Sequence, residues 1–225
     1  MPSTNVVTPS YSPAQLTRYY TRGQPVFHCG DPVTGLWSVT SGLVRLVRLT
    51  EAGRGITVRL AGPGDVLEPN ILRGGSGCSA DALCVTERVV LSYTPRCALL
   101  RTERETLLTL LAQLARQLTS AETQVTLSTC STDERVVWLF GWLTPRFGRR
   151  CPDGWTELTL PLTHEDVAAL VNATRVTVSY VFAQLRTEGK LKGSRGRYFI
   201  DATLWNTPHT PEHRSADSGK RSVRT

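Results

Sequence analysis

One stretch constrains the fold of this 225-residue chain more than any other: LTHEDVAALVNATRVTVSYVFAQLRTEGKL, residues 162–191. Its first part predicts a short helix, because Thr163 is followed three residues later by Asp166, which has the form of a capping box. The segment VNA then interrupts that helix, and Asn172 tolerates the left-handed backbone of a tight turn. The stretch therefore predicts two helices joined by a turn of three or four residues.

The second helix of this stretch has an unusual composition. Thr174 is suited to cap it, and Val178, Phe182 and Leu185 fall at i, i+4 and i+7, which predicts one buried face. It begins with RVTVSY, a run rich in β-branched residues, which are mediocre helix formers. Short, stiff side chains lose little rotamer entropy on docking. The composition therefore favours a face that contacts another molecule.

Two helices joined by so short a turn predict a helix-turn-helix, whose second helix lies in the major groove of DNA. Arginine, threonine, serine and valine can all contact base edges there. The following KLKGSRGRYFI predicts a hairpin with a basic turn, and residues 174–200 hold six basic residues against one acidic, which suits phosphate neutralisation. The alternative is a structural helix pair with a solvated basic turn. The candidate DNA-binding residues are Thr163, Thr174, Arg175, Val176, Thr177, Ser179, Tyr180, Lys192, Arg195 and Arg197.

The chain before residue 96 consists of short apolar runs punctuated by glycine, a pattern typical of an antiparallel sandwich or barrel. In GITVRLAGPGD, Ile56, Val58 and Leu60 alternate with Thr57 and Arg59. This alternation predicts a strand with the three apolar side chains on the buried face. The run ALCVTERVVLSY predicts two further strands around a turn.

A long helix is predicted over residues 103–129, where glycine and proline are absent and the length corresponds to about 40 Å. Its apolar residues recur at alternating steps of four and three, which is a heptad seam. Either the seam packs along the β domain of its own chain, or it pairs with the same helix of a second copy. The narrow seam favours the parallel homodimer. The candidate dimer-interface residues are Leu107, Leu111, Leu114, Leu118, Ala121 and Val125.

These patterns predict a sequence of segments along the chain. Ser131 and Glu134 have the form of a second capping box, so a hinge between domains is expected near residue 130. The predicted segments are a flexible N-terminus (1–20), a β-roll sensor domain (21–100), a dimerisation helix (101–130), a winged helix-turn-helix domain (131–206) and a flexible basic tail (207–225).

Composition limits the partners and the compartment. The net charge of +7 favours an acidic partner, with nucleic acid ahead of an anionic membrane surface. No apolar run reaches 18 residues, and the N-terminus lacks the regions of a signal peptide, so a cytoplasmic protein without membrane contact is expected. The six cysteines show no C-x-x-C spacing and are interpreted as reduced thiols, with a redox-active thiol left open. No metal site is predicted.

The order of β-roll, long helix and winged helix-turn-helix resembles the Crp–Fnr superfamily of bacterial transcription regulators, over about residues 20–205. The resemblance is carried by VFHCGDPVTGLWSVTSGLVRLVRLTEAGRGITVRLAGPGDVL and by the helix-turn-helix stretch. Within the superfamily, THEDVAALVNATRVTVS is most similar to the cyanobacterial global nitrogen regulators. The resemblance implies an α+β fold: an N-terminal antiparallel β-roll, which is a cyclic-nucleotide-binding-like jelly roll, then a long dimerisation helix and a C-terminal winged helix-turn-helix.

The resemblance also implies roles for particular residues. Arg175 falls where the family has its guanine-reading arginine. Val176 stands where the cyclic-AMP receptor protein has a base-reading glutamate, and Tyr180 replaces an arginine usual in that receptor and in the nitrogen regulators. The groove geometry is expected to be retained, whereas the half-site sequence is left open. The implied partners are double-stranded promoter DNA, a second copy of the chain and RNA polymerase.

The effector is harder to infer. In the cyclic-AMP branch a G-E-L loop and an Arg–Ser pair bind ribose and phosphate. Here Pro69 falls near the glutamate and Ser79 or Ala80 near the arginine, while the adenine-binding pair falls at Ala121 and Glu122. A phosphate buried without a guanidinium is unfavourable, which disfavours cyclic AMP. A carboxylate such as 2-oxoglutarate would need cationic partners. The candidate effector-binding residues are Gly64, Leu67, Glu68, Arg73, Arg88, Arg116 and Glu122.

Three classes of function follow. The favoured one is a dimeric DNA-binding transcription regulator, most simply an activator, with no cofactor identified. The alternative is a cyclic-nucleotide or small-metabolite-binding module in which DNA binding is secondary. A metal-bearing cupin enzyme would need two or three histidines and a glutamate on neighbouring strands. The first 163 residues contain only His28, so an enzyme or a haem sensor is not expected, and one early cysteine does not make an oxygen-sensing cluster.

Overall fold

The computed structural model of the chain describes residues 16–75, 77–99, 103–194, 196–201 and 203–204. The chain divides into two compact units, Met1–Glu122 and Thr123–Thr225, and each is described by itself. Among the described residues, no helix combines the length and the apolar composition that crossing a membrane requires.

The first unit is built on two antiparallel sheets. The strands are β1 (Leu16–Tyr20), β2 (Pro25–Phe27), β3 (Gly35–Ser41), β4 (Val44–Leu49), β5 (Gly55–Ala61), β6 (Asp81–Cys84) and β7 (Val89–Pro95). One sheet has three strands in the order β1-β7-β3, and the other has four in the order β2-β6-β4-β5. This arrangement confirms the predicted antiparallel β-roll.

The core of the roll lies between the two sheets. Each sheet turns alternate apolar side chains inward, and each large side chain buried in this way contributes about 1.5–3 kcal/mol relative to its exposed state. The tyrosine and tryptophan rings Tyr20 and Trp37 pack at the edge of this core, with ring centroids 6.2 Å apart. The buried core residues include Phe27, Val39, Val44, Leu46, Leu67, Val89 and Leu91.

The alternation predicted for β5 is wrong in part. Thr57 is only 3% exposed whereas Val58 is 39% exposed, the reverse of the predicted alternation. The cause is a bulge: Leu46 pairs with Arg59 and Val47 pairs with Thr57, which leaves Val58 without a partner in β4. An extra residue of this kind shifts the inward and outward positions on either side of it.

The segment predicted as a flexible N-terminus begins the first sheet instead. Residues 16–20 form β1, which pairs with β7 from Leu16 opposite Tyr93 to Tyr20 opposite Val89. A five-residue antiparallel ladder fixes these residues, although most of their side chains are exposed. The rest of that segment, residues 1–15, and the predicted basic tail, residues 207–225, lie outside the described residues.

Helices follow and interrupt the strands of the first unit. They are the 3₁₀ helix η1 (Pro69–Arg73), the short helix α1 (Arg96–Leu99) and the long helix α2 (Arg104–Leu127), whose last five residues belong to the second unit. The last confirms the helix predicted over residues 103–129. Leu110 packs α2 against Leu36, Val66 and Ile71 of the roll. Gln117 Nε2 also donates a hydrogen bond of 2.6 Å to the Val66 carbonyl oxygen.

The predicted seam of α2 lies mainly on a face of the helix other than the one that packs on the β-roll. Of its six residues, Leu114 is partly buried against the roll, and Ala121 is exposed. Packing along the β domain of its own chain therefore accounts for Leu114 and not for the rest of the seam. The other four seam residues are strongly exposed: Leu107 at 44%, Leu111 at 60%, Leu118 at 64% and Val125 at 73%.

The second unit combines three helices with a four-stranded antiparallel sheet in the order β10-β11-β9-β8. Its first helix begins at the predicted capping box, in which the Ser131 and Glu134 side chains each bond the other residue's backbone N–H. The elements are α3 (Thr132–Phe147), β8 (Gly148–Arg150), β9 (Trp155–Leu158), α4 (His164–Leu170), α5 (Arg175–Thr187), β10 (Leu191–Ser194) and β11 (Arg197–Asp201).

Three aromatic rings form the centre of the second unit. Phe140 of α3, Phe182 of α5 and Tyr198 of β11 are all 0% exposed. The Phe182 centroid lies 5.6 Å from that of Phe140 and 5.2 Å from that of Tyr198. Aromatic pairs at these separations are stabilising beyond the area they bury. The cluster ties α5 to both a helix and the sheet.

Candidate nucleic-acid interface

The helix α4 begins at the predicted cap. Asp166 Oδ2 accepts from the Thr163 backbone N–H at 2.8 Å and from the Thr163 hydroxyl at 2.7 Å. The Asp166 N–H in turn donates to Thr163 Oγ1 at 3.1 Å. These bonds satisfy backbone donors that the first turn of a helix leaves free, and such caps stabilise by about 1 kcal/mol. The start of α4 is thereby fixed.

The turn between α4 and α5 is the predicted one. Asn172 has φ of 53°, in the left-handed region, and no other non-glycine residue among those described has positive φ. The Ala173 N–H donates to the Ala168 carbonyl oxygen at 2.9 Å. Thr174 then caps α5, with its hydroxyl accepting from the Thr177 N–H at 3.1 Å. The connection between the two helices thus spans four residues.

The helix α5 has one buried face and one exposed face. Its predicted inner residues Val178, Phe182 and Leu185 are buried, together with Val181. On the opposite side, Val176 is 66% exposed and Tyr180 is 75% exposed. Side chains at i, i+4, i+7, i+8 and i+11 lie on one side of a helix. The outward stripe consists of Val176, Tyr180, Ala183, Gln184 and Thr187, with Arg175 exposed beside its start.

Two predicted contact residues already have partners inside the motif. The Ser179 hydroxyl donates to the Arg175 carbonyl oxygen at 2.9 Å and lies 2.8 Å from His164 Nδ1. The Thr177 and Thr174 hydroxyl oxygens are 2.8 Å apart and hydrogen-bonded. These hydroxyl groups therefore hold the start of α5 in place, and any contact they make to an outside group must share them.

Sequence reasoning missed His164. Its ring packs edge-on against Phe182, with centroids 4.7 Å apart, while its Nδ1 contacts Ser179. Burial lowers the pKa of His164, and the nearby Arg186 and Arg175 guanidinium groups lower it further, so the imidazole is neutral near pH 7. Its position directly after the cap residue Thr163 is only a weak sign of this role in the sequence. Its partner Ser179 is 15 residues away, beyond the range of local sequence patterns.

The predicted wing is the hairpin of β10 and β11. Gly193 has φ of +86°, and a Cβ there would collide with the Arg197 carbonyl oxygen, so this position requires glycine. Arg186 Nη2 of α5 donates to the Gly193 carbonyl oxygen at 3.0 Å, which joins the helix to the hairpin. Lys192 Nζ lies 3.7 Å from the centroid of the Trp155 ring. Arg195 lies outside the described residues.

Glu157 of β9 changes the charge of the wing. Its side chain is buried and forms ion pairs with Arg149 of β8 and with Arg197. Hydrogen bonds from Arg149, which has the larger effect, and from Arg197 lower the pKa of Glu157. Its carboxyl group is therefore ionised at neutral pH. The count of six basic residues over residues 174–200 therefore overstates what Arg197 contributes to the free positive charge of the wing. Exposed Arg150 is a further basic group on β8, whereas Arg149 shares the Glu157 carboxylate with Arg197.

The comparisons with known proteins match this architecture. A model of the cyclic nucleotide-binding domain matches residues 17–113, and a model of the Crp-like helix-turn-helix domain matches residues 134–202. The cyclic AMP receptor protein of Thermus thermophilus is 33% identical over 78% of this chain and 79% of its own length. The nitrogen fixation regulation protein FixK of Bradyrhizobium diazoefficiens is 31% identical over 77% of this chain and 73% of its own.

The chain belongs to the Crp–Fnr superfamily of transcription regulators. A crystal structure of a CRP-family transcriptional regulator from Thermus thermophilus superposes on this Crp–Fnr protein with a TM-score of 0.68 at 27% identity. The superposition covers 84% of this chain and 95% of that one. The global nitrogen regulator of Synechococcus elongatus is also similar, at 29% identity over 80% of this chain and 82% of its length.

The candidate effector residues of this Crp–Fnr regulator do not form one cluster. Gly64, Leu67 and Glu68 lie between β5 and η1, and Glu68 is 1% exposed. Within the described residues, no hydrogen bond or ion pair joins Glu68 to any of the candidate arginines. Those arginines are all exposed: Arg73 on η1, Arg88 between β6 and β7, and Arg116 on α2. Glu122 is exposed on the same helix.

Arg59, which the sequence interpretation turned outward, is the arginine that approaches Glu68. Its Nη1 donates to the Val66 carbonyl oxygen at 3.0 Å. Burial lowers the pKa of Arg59, while the Asp65 and Glu68 carboxylates act in the opposite direction.

No group of three or more histidine, cysteine, aspartate or glutamate side chains suited to a metal ion occurs among the described residues.

Proposed function

We propose that this Crp–Fnr protein is a dimeric regulator that binds a specific promoter sequence, with α5 in the major groove. The observation that carries the proposal is the outward stripe of α5. It places a valine and a tyrosine in solvent on a helix whose other face, caps and turn are fixed by the motif. An α-helix with one exposed side of this kind fits the width of the major groove.

The proposed contacts fall into two groups. Arg175 is proposed to read guanine, with Val176 and Tyr180 contacting neighbouring bases, because these side chains lead the exposed stripe. The remaining candidates are proposed to bind phosphates and so to set the register on the duplex. They are Thr163, Thr174, Thr177, Ser179, Lys192, Arg195 and Arg197.

The dimer is proposed to form along the seam of α2. The strongly exposed Leu107, Leu111, Leu118 and Val125 support it, because one copy leaves them in water and a parallel second helix would cover them. Two recognition helices related by a twofold axis read half-sites about 34 Å apart, one turn of DNA. A palindromic target is therefore expected.

The protein is further proposed to act in the cytoplasm as an activator that contacts RNA polymerase, as the family resemblance implies. Its effector site is proposed to be degenerate or to take a ligand other than cyclic AMP. The alternative, a metabolite-binding module in which DNA binding is secondary, draws on the match of residues 17–113 to the cyclic nucleotide-binding domain. The two hypotheses differ in whether specific DNA binding is found.

Footprinting on a pool of genomic fragments, followed by gel shifts at increasing salt, tests the proposal. A protected palindrome is expected, with an affinity that falls as salt rises. The variant Arg175→Ala should lose about 1–3 kcal/mol at the specific site and little on random DNA. Arg54→Ala, which removes an exposed arginine before β5, is the matched control and should bind both DNAs like wild type.

Two outcomes would contradict the proposal. A protein that protects no fragment in the pool is not a sequence-specific regulator. An Arg175→Ala variant that loses affinity equally for the palindrome and for random DNA does not read a base through that arginine.

A further inference from the structure

A buried carboxylate lies in the loop between β5 and η1. Glu68 is 1% exposed, and carboxylates are rarely buried to this degree unless they are paired. Among the described residues no cationic side chain forms an ion pair with it. Its partners are instead Asn70 of η1 and Ser79, which lies 11 residues after Glu68 in the loop before β6.

Three groups donate to this carboxylate. Ser79 donates twice to Oε2, from its backbone N–H at 2.6 Å and from its hydroxyl at 3.0 Å. The Asn70 N–H donates to Oε1 at 3.1 Å. The bond from Asn70 alone would be an ordinary cap of the short helix η1. The two bonds from Ser79 have no part in that cap, and they join the loop before η1 to the loop before β6.

Two arginines frame the same loops without bonding the carboxylate. Arg48 Nε of β4 donates to the Ser79 carbonyl oxygen at 2.9 Å, and Arg59 Nη1 donates to the Val66 carbonyl oxygen at 3.0 Å. Backbone N–H groups, a hydroxyl and flanking guanidinium groups are the usual components of an oxyanion site. Here the oxyanion is a side chain of the chain itself.

We propose that Glu68 is a tethered ligand that fills an oxyanion site of the β-roll, so that the roll keeps its loop arrangement without a free anionic effector. The site lies within the segment that matches the cyclic nucleotide-binding domain. The inference rests on the proposed function in one respect: it predicts that specific DNA binding does not depend on adding an anionic metabolite.

Removal of the carboxylate should open the site to a free oxyanion. Glu68→Ala leaves three donors without an acceptor and leaves space for a small carboxylate. The full-length variant is expected to unfold at a lower temperature than wild type. Sodium acetate should raise its midpoint along a saturating curve, as expected for a ligand bound by the folded state. Sodium chloride at equal ionic strength should not.

Controls assign the effect to the vacated site. Wild type should show the same midpoint in acetate and in chloride, because its site is filled. Glu68→Gln keeps the volume and removes the charge, so it should be less stable than wild type and unresponsive to acetate. Inorganic phosphate is tested beside acetate on the alanine variant. Rescue by acetate alone indicates a carboxylate-sized site, and rescue by both indicates one that also accepts phosphate.

Several results would overturn the inference. They are a Glu68→Ala variant with wild-type stability, a variant that responds no more to acetate and phosphate than to chloride, and wild type that responds to acetate as the variant does. If the alanine variant does not fold, Glu68→Gln decides alone, since wild-type stability there would refute the role of the carboxylate. These readouts need no DNA, so a failure of DNA binding would contradict the proposed function separately.

Discussion

The seam of α2 makes a quantitative prediction for Leu118→Lys. Leu118 is 64% exposed to solvent in a single copy of the chain. Full burial of a leucine side chain contributes about 2 kcal/mol. Covering it in a dimer is therefore worth roughly 1.3 kcal/mol per chain and, because the twofold axis repeats it, about 2.6 kcal/mol per dimer. That corresponds to roughly a 70-fold change in the dimer dissociation constant. A lysine that must be desolvated raises the loss further.

The assay is analytical ultracentrifugation over a range of protein concentrations, with gel shifts on the palindrome and on a single half-site. Leu118→Lys should move the monomer–dimer transition to a concentration higher by roughly 70-fold or more and should weaken binding to the palindrome more than to the half-site. The matched control is Ala112→Lys, which adds the same charge to the same helix at an exposed position off the seam. It should dimerise like wild type.

The reasoning would be refuted by a Leu118→Lys protein that dimerises at the wild-type concentration. It would also be refuted if Ala112→Lys and Leu118→Lys weakened the dimer equally, since the effect would then come from charge on the helix and not from the seam. Unfolding of Leu118→Lys as a monomer is not expected, because its side chain is exposed in the single chain.

Three further predictions concern the two units. Phe182→Ala should lower the free energy of unfolding of the second unit by about 3–5 kcal/mol, because it empties the centre of the aromatic cluster; denaturant titration measures this, and a loss below about 1 kcal/mol would contradict that packing. The lowered pKa of His164 means that the unfolded chain binds its proton more strongly, so stability should fall as pH drops below about 6.5, and thermal midpoints of His164→Asn should show a smaller fall than wild type. Burial raises the pKa of Cys78 and of Cys84 to about 11, so both should react slowly with a disulfide reagent near pH 8, and labelling as fast as that of an exposed thiol would contradict their burial. The exposed thiols that should react fast are Cys29 and Cys97.

Local rules explain which parts of the candidate interface could be predicted. The caps at Thr163 and Thr174 and the left-handed Asn172 depend only on residues within four positions of themselves. Helical spacing likewise identified the buried face of α5. In each case backbone groups at a helix end or in a turn must find partners nearby, so the sequence neighbourhood is sufficient.

The parts that could not be predicted depend on residues distant in sequence. Ser179 is hydrogen-bonded to His164, and Arg197 forms an ion pair with Glu157, which is 40 residues away. The exposed position of Val58 follows from its unpaired place opposite β4, which alternation within β5 alone does not reveal. Periodicity describes one element at a time, and these features arise between elements.

Some residues of α5 hold the helix in place and others are exposed to solvent, and this difference bears on how such a regulator can change its target sequence. Ser179 and Thr177 have hydroxyl groups committed to the motif itself, so replacing them would disturb the position of the helix. Val176 and Tyr180 are exposed and contribute little to packing, and surface substitutions of this kind usually alter stability by less than about 0.5 kcal/mol. These two positions can therefore vary without loss of the fold. They are also the positions at which the chain departs from the residues that its family resemblance implies, so the proposed target should differ at the bases nearest them.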